Sequence, residues 1–553
     1  NIVRISALAD GRRVTLEKVD KHTWRAPAAK RIELAYEVYA WDPSVRAAHL
    51  DETHGFFNGT SVFLLPLGLE GERCVVDVLP PQSARYRHWR VATALVPARG
   101  TRRHSFGTYE AADYDELIDC PVEMGDFQLG RFKVLQTAHE IVITGRVPKL
   151  DMARLTTDLA TLCETHVRLF EPREPTLPFD RYTFLVMALG DSYGGLEHRS
   201  STALVTKREA LPFVGMTETT EAYRNFVGLA SHEYFHAWNI KRIKPAAFVP
   251  YDLTRENHTR LLWAFEGFTS YYDDLLATRA GLLTEPQYLA GLAKTLTTVT
   301  QRSSRLKQSI ADSSYDAWIK YYRQDENAPN SVVSYYAKGA LVGLALDLSI
   351  RAQTKGKRSL DDVMRLLWKQ WKAAGAAYAG VMEDHVASAV EQATGLSLTR
   401  EIAEWTDGTI DPDFEALLAP FGVTCARRAD VDAAHFALLG LKTAKAKLEC
   451  KVAHVFDGSP AQAAGLSAND VLVALDGLRA TPENLDTLLS RYETGDAVEI
   501  VAFRGDELVR FDVKLATQPP LKFSLEVTPK NSRATQRLRR GWLGTARSAA
   551  RRA

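Results

Sequence analysis

The chain has 553 residues, too many for one hydrophobic core, so roughly two to four domains are expected. Its composition, 46% hydrophobic and 25% charged, is that of an ordinary soluble globular protein. The formal net charge of +1 gives no electrostatic reason to expect binding to nucleic acid or to a membrane surface.

Residues 1–170 are predicted to form a β-rich N-terminal domain. They contain short apolar runs separated by turn signals, for example at 61–66, 74–79 and 140–145, as in small antiparallel sheets. A helix at about 152–170 and a proline-bearing stretch close this domain. A strand at 182–189 then leads into a loop that contains glycine.

From about 221 to 418 the hydrophobic pattern becomes helical, so residues 171–425 are predicted to form a mostly helical domain. The predicted helices lie at about 221–242, 259–280, 286–303, 335–353 and 359–373. Residues 430–517 return to short strands with one helix near 483–491. The fold class expected is therefore multidomain α+β.

The first of these helices carries the motif His232-Glu-Tyr-Phe-His236. Residues four apart lie on one helix face, so both imidazoles can reach one ion, with Glu233 on the same side. Imidazole is a good zinc ligand, and the carboxylate can take a proton from metal-bound water. For the pentapeptide alone, the alternative is two surface histidines on an amphipathic helix.

Glu266 lies on the next predicted helix, within 263–272. The loop between the helices contains Pro245 and Pro250 and is long enough to return the chain antiparallel. Glu266 would then be a third metal ligand, leaving a fourth position for water. Taken alone, it would more often be a solvated surface residue, but the neighbouring motif favours the ligand interpretation.

The stretch His-Glu-Tyr-Phe-His-Ala-Trp-Asn-Ile-Lys-Arg-Ile-Lys-Pro (232–245), followed by Glu-Gly-Phe-Thr-Ser-Tyr-Tyr (266–272), resembles the glycyl aminopeptidase family of zinc metallopeptidases. The resemblance covers most of the chain and makes 171–425 a thermolysin-like catalytic domain. It implies a zinc cofactor held by two histidines and a glutamate, with Glu233 as the base. It also implies a preference for small N-terminal residues such as Gly or Ala.

Gly194-Gly195-Leu-Glu197-His198 loosely resembles the Gly-Ala-Met-Glu-Asn stretch of the wider aminopeptidase N group, whose Glu binds the substrate α-ammonium. An edge strand beside the metal can pair with substrate backbone, and glycines permit close approach. Gly194, Gly195 and Glu197 are therefore candidate substrate-binding residues. The alternative is that Glu197 and His198 form a structural pair in a turn. His198 stands where that group has Asn, so recognition of the amine stays open.

Tyr335-Tyr336-Ala-Lys-Gly339 resembles the Tyr-Glu-Lys-Gly of the same group. The resemblance implies that Tyr336 donates a hydrogen bond to the developing oxyanion, with Tyr335 the less favoured donor. Two adjacent tyrosines at a helix start are otherwise commonly packing residues.

Residues 459–477, Ser-Pro-Ala-Gln-Ala-Ala-Gly-Leu-Ser-Ala-Asn-Asp-Val-Leu-Val-Ala-Leu-Asp-Gly, strongly resemble a PDZ domain of the bacterial protease type. Leu439, Gly440 and Leu441 would form its carboxylate-binding loop, where backbone N–H groups receive a peptide C-terminus. A PDZ fold that only packs against the catalytic domain is the alternative.

Residues 518–553 are predicted to be a basic tail of the solvated or disordered kind. The arginines that cluster there are Arg533, Arg537, Arg539, Arg540, Arg547, Arg551 and Arg552.

Five dispersed cysteines argue against a disulfide framework and for a reducing compartment. They are Cys74, Cys120, Cys163, Cys425 and Cys450. No run approaches the roughly 18 apolar residues of a membrane span. A cytoplasmic location is expected, and a secreted or periplasmic one stays open because the sequence starts at Asn1 rather than Met.

The sequence thus predicts a zinc metallopeptidase, favoured as an aminopeptidase with Glu233 as base and Tyr336 as oxyanion donor. A zinc endopeptidase with the same site and a PDZ-based peptide-binding protein with an inactive peptidase are the alternatives. Peptide substrates, and peptide C-termini at the PDZ domain, are the expected partners.

Overall fold

The computed structural model of the protein describes residues 2–444, 448–516 and 520–544. The chain forms two compact units, residues 1–164 with 176–237 and residues 165–175 with 238–553. The expected α+β class is confirmed, because strands dominate the beginning of the chain, helices its middle and strands its C-terminal part. Within the described ranges, no helix has both the length and the apolar character needed to cross a membrane. All five cysteines are free thiols.

The first unit is mostly β-sheet. Its strands are β1 (Ile2–Ala9), β2 (Arg12–Val14), β3 (Glu17–Lys18), β4 (Trp24–Arg25), β5 (Ile32–Val38), β6 (Ala48–Leu50), β7 (His54–Phe57), β8 (Cys74–Val78), β9 (Arg90–Thr93), β10 (Val96–Pro97), β11 (Gly107–Ala111), β12 (Val122–Gly125), β13 (Gln128–Val134), β14 (Thr137–Thr144), β15 (Arg181–Leu189), β16 (Gly194–Glu197) and β17 (Ser201–Lys207). Its helices are α1 (Tyr114–Ile118), α2 (Met152–Phe170), which continues into the second unit, and α3 (Glu221–Phe235). The sheets have the orders β2-β1-β5, β3-β4, β6-β7-β12-β9, β10-β11-β8 and β13-β14-β15-β17-β16.

The five-stranded sheet positions the candidate site. Its inner strands β14, β15 and β17 are parallel, while β13 and β16 run antiparallel at the two edges. β15 is a continuous apolar run with almost every residue buried, as expected for an inner parallel strand covered on both faces. Helix α3 packs against β16 and β17, so an edge strand lies beside the helix that carries the histidine motif.

Helix α3 begins where predicted and is shorter than predicted. The Thr220 side chain accepts a hydrogen bond from Tyr223 N, which caps the first turn, and the acidic Glu221 suits the positive end of the helix dipole. The helix ends at Phe235 instead of near 242. Ile240 has a φ of 96°, a conformation that no α-helix contains.

The strand predicted at 61–66 is wrong. Ser61 ends a short 3-10 turn, Gly59–Ser61, capped by Asn58. The phenols of Tyr36 and Tyr114 donate to the Val62 and Phe63 carbonyls at 2.9 Å. Side chains rather than a neighbouring strand therefore satisfy this backbone, which the apolar pattern could not reveal.

The second unit is mostly helical in its first part and β in its last. Its helices are α4 (Leu262–Arg279), α5 (Glu285–Thr300), α6 (Ile310–Tyr315), α7 (Ala328–Ser331), α8 (Ala337–Gln353), α9 (Leu360–Ala374), α10 (His385–Thr394), α11 (Thr399–Thr406), α12 (Phe414–Leu418), α13 (Pro460–Ala463), α14 (Leu485–Leu489) and α15 (Arg533–Leu543). Its strands are β18 (Val423–Ala429), β19 (Leu441–Thr443), β20 (Cys450–Val455), β21 (Val471–Leu475), β22 (Leu478–Arg479), β23 (Ala497–Arg504), β24 (Glu507–Lys514) and β25 (Leu521–Val527). The four helices predicted between 259 and 373 correspond to α4, α5, α8 and α9.

Helices α4 and α8 touch through glycine. A Cβ added at Gly267 would lie 2.5 Å from Gly339 Cα, and one added at Gly339 would lie 2.7 Å from the Trp263 carbonyl oxygen. Only glycine permits backbones this close. The contact fixes α4, which carries Glu266, against the start of α8.

The segment predicted as a PDZ domain folds around its own apolar core, which includes Leu439, Leu441, Leu489 and Val513. Its sheet has the order β19-β20-β21-β23-β24, with β22 paired to β21. It is also tied to the helical part of the same unit, since the Asn330 amide donates to Val455 O at 2.8 Å and accepts from Asp457 N at 3.0 Å.

The predicted basic tail at 518–553 is wrong for the part that the structure describes. Strand β25 pairs with β18, and α15 holds a fully buried Trp542. Arg539 pairs with Glu285 at 2.8 Å. Burial of an aromatic side chain outweighs the solvation of the neighbouring arginines. Arg547, Arg551 and Arg552 lie outside the described residues.

Candidate metal centre

His232 and His236 lie one turn apart at the C-terminal end of α3. Their Nε2 atoms are 3.1 Å apart, with the rings nearly perpendicular, at 86°. Two nitrogens bound to one tetrahedral ion at about 2.0–2.1 Å would be about 3.3 Å apart. His236 is buried and His232 half-buried. The donor chemistry and the spacing of this predicted pair therefore fit a shared metal ion.

Glu233, the predicted base, is buried on the same helix and faces strand β16. A Cβ added at Gly195 would lie 2.2 Å from Glu233 Oε1, so only glycine leaves room for this carboxylate. Glu197, two residues along and on the same strand face, forms with Glu233 and His236 a group whose ligand atoms lie within 4.8 Å of one another. The structure thus brings Gly195 and Glu197 to the base.

Two carboxylates this close repel each other unless a cation stands near them. A metal ion at the two histidines or an ammonium group beside Glu197 would supply that charge. Gly194 also lies in β16, where its nearest neighbour, Val205 Cγ2, leaves ordinary space at 3.7 Å.

His198 directly follows the last residue of β16. It is buried, with Nδ1 3.3 Å from Asp119 Oδ1. The same carboxylate accepts hydrogen bonds from the backbone and side chain of Arg199 at 2.9 and 3.0 Å. The contact given for the His198 side chain is therefore with Asp119 rather than with Glu197. His198 instead serves the packing of the sheet.

Sequence reasoning missed a buried hydrogen bond that ties α3 to the sheet. The Tyr234 phenol lies 2.9 Å from His139 Nε2, and His139 Nδ1 lies 3.1 Å from the Thr137 carbonyl. Since Nδ1 donates to that carbonyl, Nε2 accepts from the phenol. Burial lowers the pKa of His139 to about 4, so the ring is neutral at pH 7. A histidine among the apolar residues of β14 was the only signal of this contact.

Glu266 is half-buried on α4, adjoining the glycine contact with α8. Burial and, next, the charge of Glu266 raise the pKa of the Tyr336 phenol well above its usual value. Tyr336 therefore lies within electrostatic reach of Glu266 and keeps its proton at neutral pH.

Tyr336 caps the start of α8 within a group of stacked tyrosines. Its hydroxyl lies 2.9 Å from that of Tyr322, and its ring lies 4.8 Å from that of Tyr335. Tyr335 is fully buried, and its ring packs against that of Tyr321 with the centroids 4.6 Å apart and the planes tilted by 44°. Of the two predicted tyrosines, Tyr336 is the less buried, as a donor to substrate requires. Tyr322 was missed because no motif relates it to Tyr336.

Leu439 and Gly440 lead directly into β19, the edge strand of the PDZ sheet, and Leu441 is the first residue of that strand. Gly440 has a φ of 66°, and a Cβ there would lie 2.4 Å from Ser459 Cβ, so the position requires glycine. Its N–H donates to Phe436 O at 3.1 Å, and its carbonyl accepts from Phe456 N at 3.0 Å. The Gly440 amide predicted to receive a carboxylate is thus already engaged.

Comparison with known proteins agrees with these features. Residues 225–342 match the family model described as M61 glycyl aminopeptidase, residues 1–126 that of the peptidase M61 N-terminal domain, and residues 437–515 that of the PDZ domain. The crystal structure of an aminopeptidase N family protein from Idiomarina loihiensis is 37% identical with a TM-score of 0.91, covering 98% of this chain and 92% of that chain. An M1 zinc metallopeptidase from Deinococcus radiodurans is 14% identical with a TM-score of 0.44, covering 74% and 85%. No curated protein matches the chain.

Proposed function

Since the chain belongs to the M61 glycyl aminopeptidase family and is a metallopeptidase, we propose that it is a zinc-dependent aminopeptidase that hydrolyses peptide bonds after small N-terminal residues, Gly or Ala. The observation that carries the proposal is the convergence, within the first unit, of His232 and His236 with the carboxylates of Glu233 and Glu197. A metal position, a base and an anionic group for the substrate amine thereby lie side by side.

His232, His236 and Glu266 are the proposed zinc ligands. Imidazole nitrogen and carboxylate oxygen suit zinc, and three protein ligands leave the open position that a catalytic site needs. What supports Glu266 is that it lies, with both histidines, in the stretch 225–342 that matches the M61 glycyl aminopeptidase family model. When bound, the ion polarises the scissile carbonyl and lowers the pKa of water.

Glu233 takes the proton of the attacking water and delivers it to the leaving amine. Glu233 is buried beside Gly195, which limits competing solvent at the carboxylate. Tyr336 donates a hydrogen bond to the developing oxyanion, a contribution that is typically worth several kcal/mol. The raised pKa of its phenol supports this role, because the proton stays on the donor.

Glu197 binds the substrate α-ammonium, and β16 pairs with the substrate backbone. What supports this is the position of Glu197 at the sheet edge, beside Glu233 and His236. An exposed edge can add an extended peptide as a further strand. In an aminopeptidase substrate, one residue separates the α-ammonium from the scissile carbonyl. A carboxylate at the matching distance from the metal therefore selects peptides with a free N-terminal amine.

Hydrolysis of Gly- and Ala-p-nitroanilide, compared with their N-acetyl forms, tests the proposal. We expect the free substrates to be cleaved and the blocked ones to react tens to thousands of times more slowly, since a lost partner in a desolvated ion pair costs about 2–5 kcal/mol. Glu197→Ala should remove most of this preference and leave the zinc content unchanged. Chelation should abolish activity, and zinc should restore it.

Equal cleavage of free and blocked substrates would make the protein an endopeptidase and leave Glu197 without a role in recognition. Activity that neither chelation nor added metal changes would reject the zinc ligands. Leu- and Phe-p-nitroanilide serve as size controls, and faster cleavage of these would reject the preference for Gly or Ala.

The PDZ domain is a second proposed peptide-binding surface. Strand β19 lies at the edge of its sheet and follows directly on the loop 439–441, the arrangement in which a peptide C-terminus adds a strand. Because the Gly440 amide is engaged, the neighbouring amides would have to receive the carboxylate. Screening short peptides with free and amidated C-termini tests this role, and equal binding of both forms would contradict it.

A further inference from the structure

A β-hairpin of the first unit carries a second cluster of metal-ligating side chains. His49 lies on β6, Asp51 in the turn and His54 at the start of β7. His49 pairs with Phe56, so His54, two residues before Phe56, points to the same sheet face. None of these residues takes part in the peptidase site described above.

One ligand atom from each of His49, Asp51 and His54 lies within 4.8 Å of the others. His49 Nε2 is 3.1 Å from Asp51 Oδ2, close to the roughly 3.3 Å between two donors of one tetrahedral ion. The two imidazoles are stacked with centroids 5.0 Å apart. Their side chains are only 10% and 9% exposed, whereas Asp51 is 28% exposed. One side of the cluster is therefore open to an ion from solvent.

Hydrogen bonds with neighbouring groups orient the side chains of the cluster, as they commonly do for metal ligands. His54 Nδ1 is 3.2 Å from Glu123 Oε1 on β12, and metal-binding histidines typically donate their second N–H to a carboxylate. Asp51 Oδ1 accepts hydrogen bonds from the Thr53 amide and hydroxyl, both at 2.6 Å. This leaves Asp51 Oδ2 directed at His49.

His49 Nδ1 is buried and has no hydrogen-bond partner among the described residues. Because Nε2 is the atom that faces Asp51 Oδ2, Nε2 is the ligand atom of His49, and an ordered water at Nδ1 is a common way to satisfy such a buried polar atom.

We propose that His49, Asp51 and His54 bind a divalent transition-metal ion and that Glu123 orients His54 for it. The nitrogen-rich donor set favours zinc or a neighbouring transition metal over calcium or magnesium, which prefer all-oxygen sites. The ion would tie β6, β7 and their turn together. Its role is to stabilise the hairpin of the four-stranded sheet.

Zinc titration of the full-length His232→Ala/His236→Ala protein tests the proposal, because that background removes two of the proposed catalytic ligands. We expect about one zinc ion per chain by calorimetry and by metal analysis after dialysis. Adding His54→Gln should weaken zinc binding at least about 10-fold, and adding Glu123→Gln should weaken it about 10–100-fold. His88→Gln, at an exposed histidine of the same unit, is the matched control and should bind zinc like the background.

A thermal melt gives a second readout. Excess zinc should raise the Tm of the background protein, since a ligand that binds only the folded state stabilises it, and Asp51→Asn should remove the shift. Asp51 is the most exposed of the ligands, so this variant keeps the test open where His54→Gln fails to fold. Equal zinc affinity in the His54→Gln and His88→Gln proteins, or no Tm shift with zinc, would overturn the proposal. Neither result would bear on the catalytic ligands, which the wild-type activity assay tests separately.

Discussion

Glu233 is the residue on which the proposed chemistry depends most directly. Glu233 stands between the two histidines in the sequence. Its side chain occupies space that a Cβ at Gly195 would otherwise fill. Glu233→Gln has nearly the same shape and can still form hydrogen bonds, but it cannot accept a proton.

We therefore expect Glu233→Gln to keep its zinc and to lower kcat for Ala-p-nitroanilide by about 10²-fold or more, the usual scale for a general base. Metal analysis and steady-state kinetics on the same preparation separate the two effects. A variant with near-normal kcat would mean that another group takes the proton.

At the residue scale, the sequence identified the groups whose chemistry a motif carries. The spacing of His232 and His236 follows from the helix period alone, and in the structure their Nε2 atoms lie 3.1 Å apart. The contact between Gly195 and Glu233 could not be predicted, because it depends on how α3 packs against β16. The bond between His139 and Tyr234 also joins residues far apart in sequence, through the fold of the sheet.

Strand β16 lies against the side chain of Glu233, the proposed base. The three heavy atoms nearest to a Cβ at Gly195 would all belong to the Glu233 side chain, the first at 2.2 Å. That side chain is flexible, so the strand can stay in place while the carboxylate moves. We expect Gly195→Ala to fold normally and to lower kcat by about 10–100-fold, since a displacement of about 1 Å can cost that much.

Gly194→Ala is the matched control in the same strand, because its Cβ would find ordinary space. Because Gly194 is itself a candidate substrate-binding residue, the comparison is made on kcat rather than on KM, and the kcat of Gly194→Ala should stay near that of the wild type. Equal losses in the two variants would show that β16 needs flexibility rather than room for Glu233.

The hydrogen bond between Tyr234 on α3 and His139 on β14 makes the free energy of unfolding depend on pH. In the folded protein, burial lowers the pKa of His139 to about 4, against an ordinary value of 6.5. Between these values the unfolded chain takes up a proton that the folded chain does not, so the contribution of His139 is fully present above pH 6.5. As the pH falls toward 4, this contribution to the free energy of unfolding is lost, and the protein is destabilised by about 3 kcal/mol.

We expect the stability difference between wild type and His139→Gln, measured by urea unfolding, to shrink as the pH is lowered from 7 to 4.5. His22→Gln, at an exposed histidine, should follow the wild-type pH dependence. If the free energies of unfolding of wild type and His139→Gln change with pH in parallel, protonation of His139 does not destabilise the folded protein.

At the scale of elements, prediction was accurate where one strong pattern governs and failed where packing decides. Helices α4, α5, α8 and α9 follow long apolar periodicities and lie close to their predicted bounds. Residues 61–66 have a strand-like composition, yet phenols from elsewhere in the unit bind their carbonyls. Helix α3 cannot extend to 242 because Ile240 has positive φ, and a single sequence does not display that backbone conformation.

For the molecule as a whole, the C-terminal segment changes the expected organisation of the second unit. The arginine-rich composition of α15 indicated a solvated tail, and the spacing of Leu538 and Trp542 was the weak signal of an apolar stripe. Trp542 Nε1 donates to the Tyr271 hydroxyl at 3.1 Å, and the Tyr271 hydroxyl donates to Asp347 at 2.6 Å. Helix α15 thereby joins the polar core between α4 and α8.

Trp542→Ala should therefore destabilise the second unit although it lies near the end of the sequence. Truncating a buried Trp costs about 3–5 kcal/mol, and at roughly 2–4 °C per kcal/mol the Tm should fall by about 6–20 °C. Arg540→Ala, exposed on the same helix, should leave the Tm unchanged. Differential scanning calorimetry measures both.

Activity per folded molecule at 25 °C should stay near normal, because α15 supplies no group to the proposed reaction. An unchanged Tm in Trp542→Ala would mean that α15 adds little to the fold despite its buried side chain, and the segment would then be a tail in energetic terms.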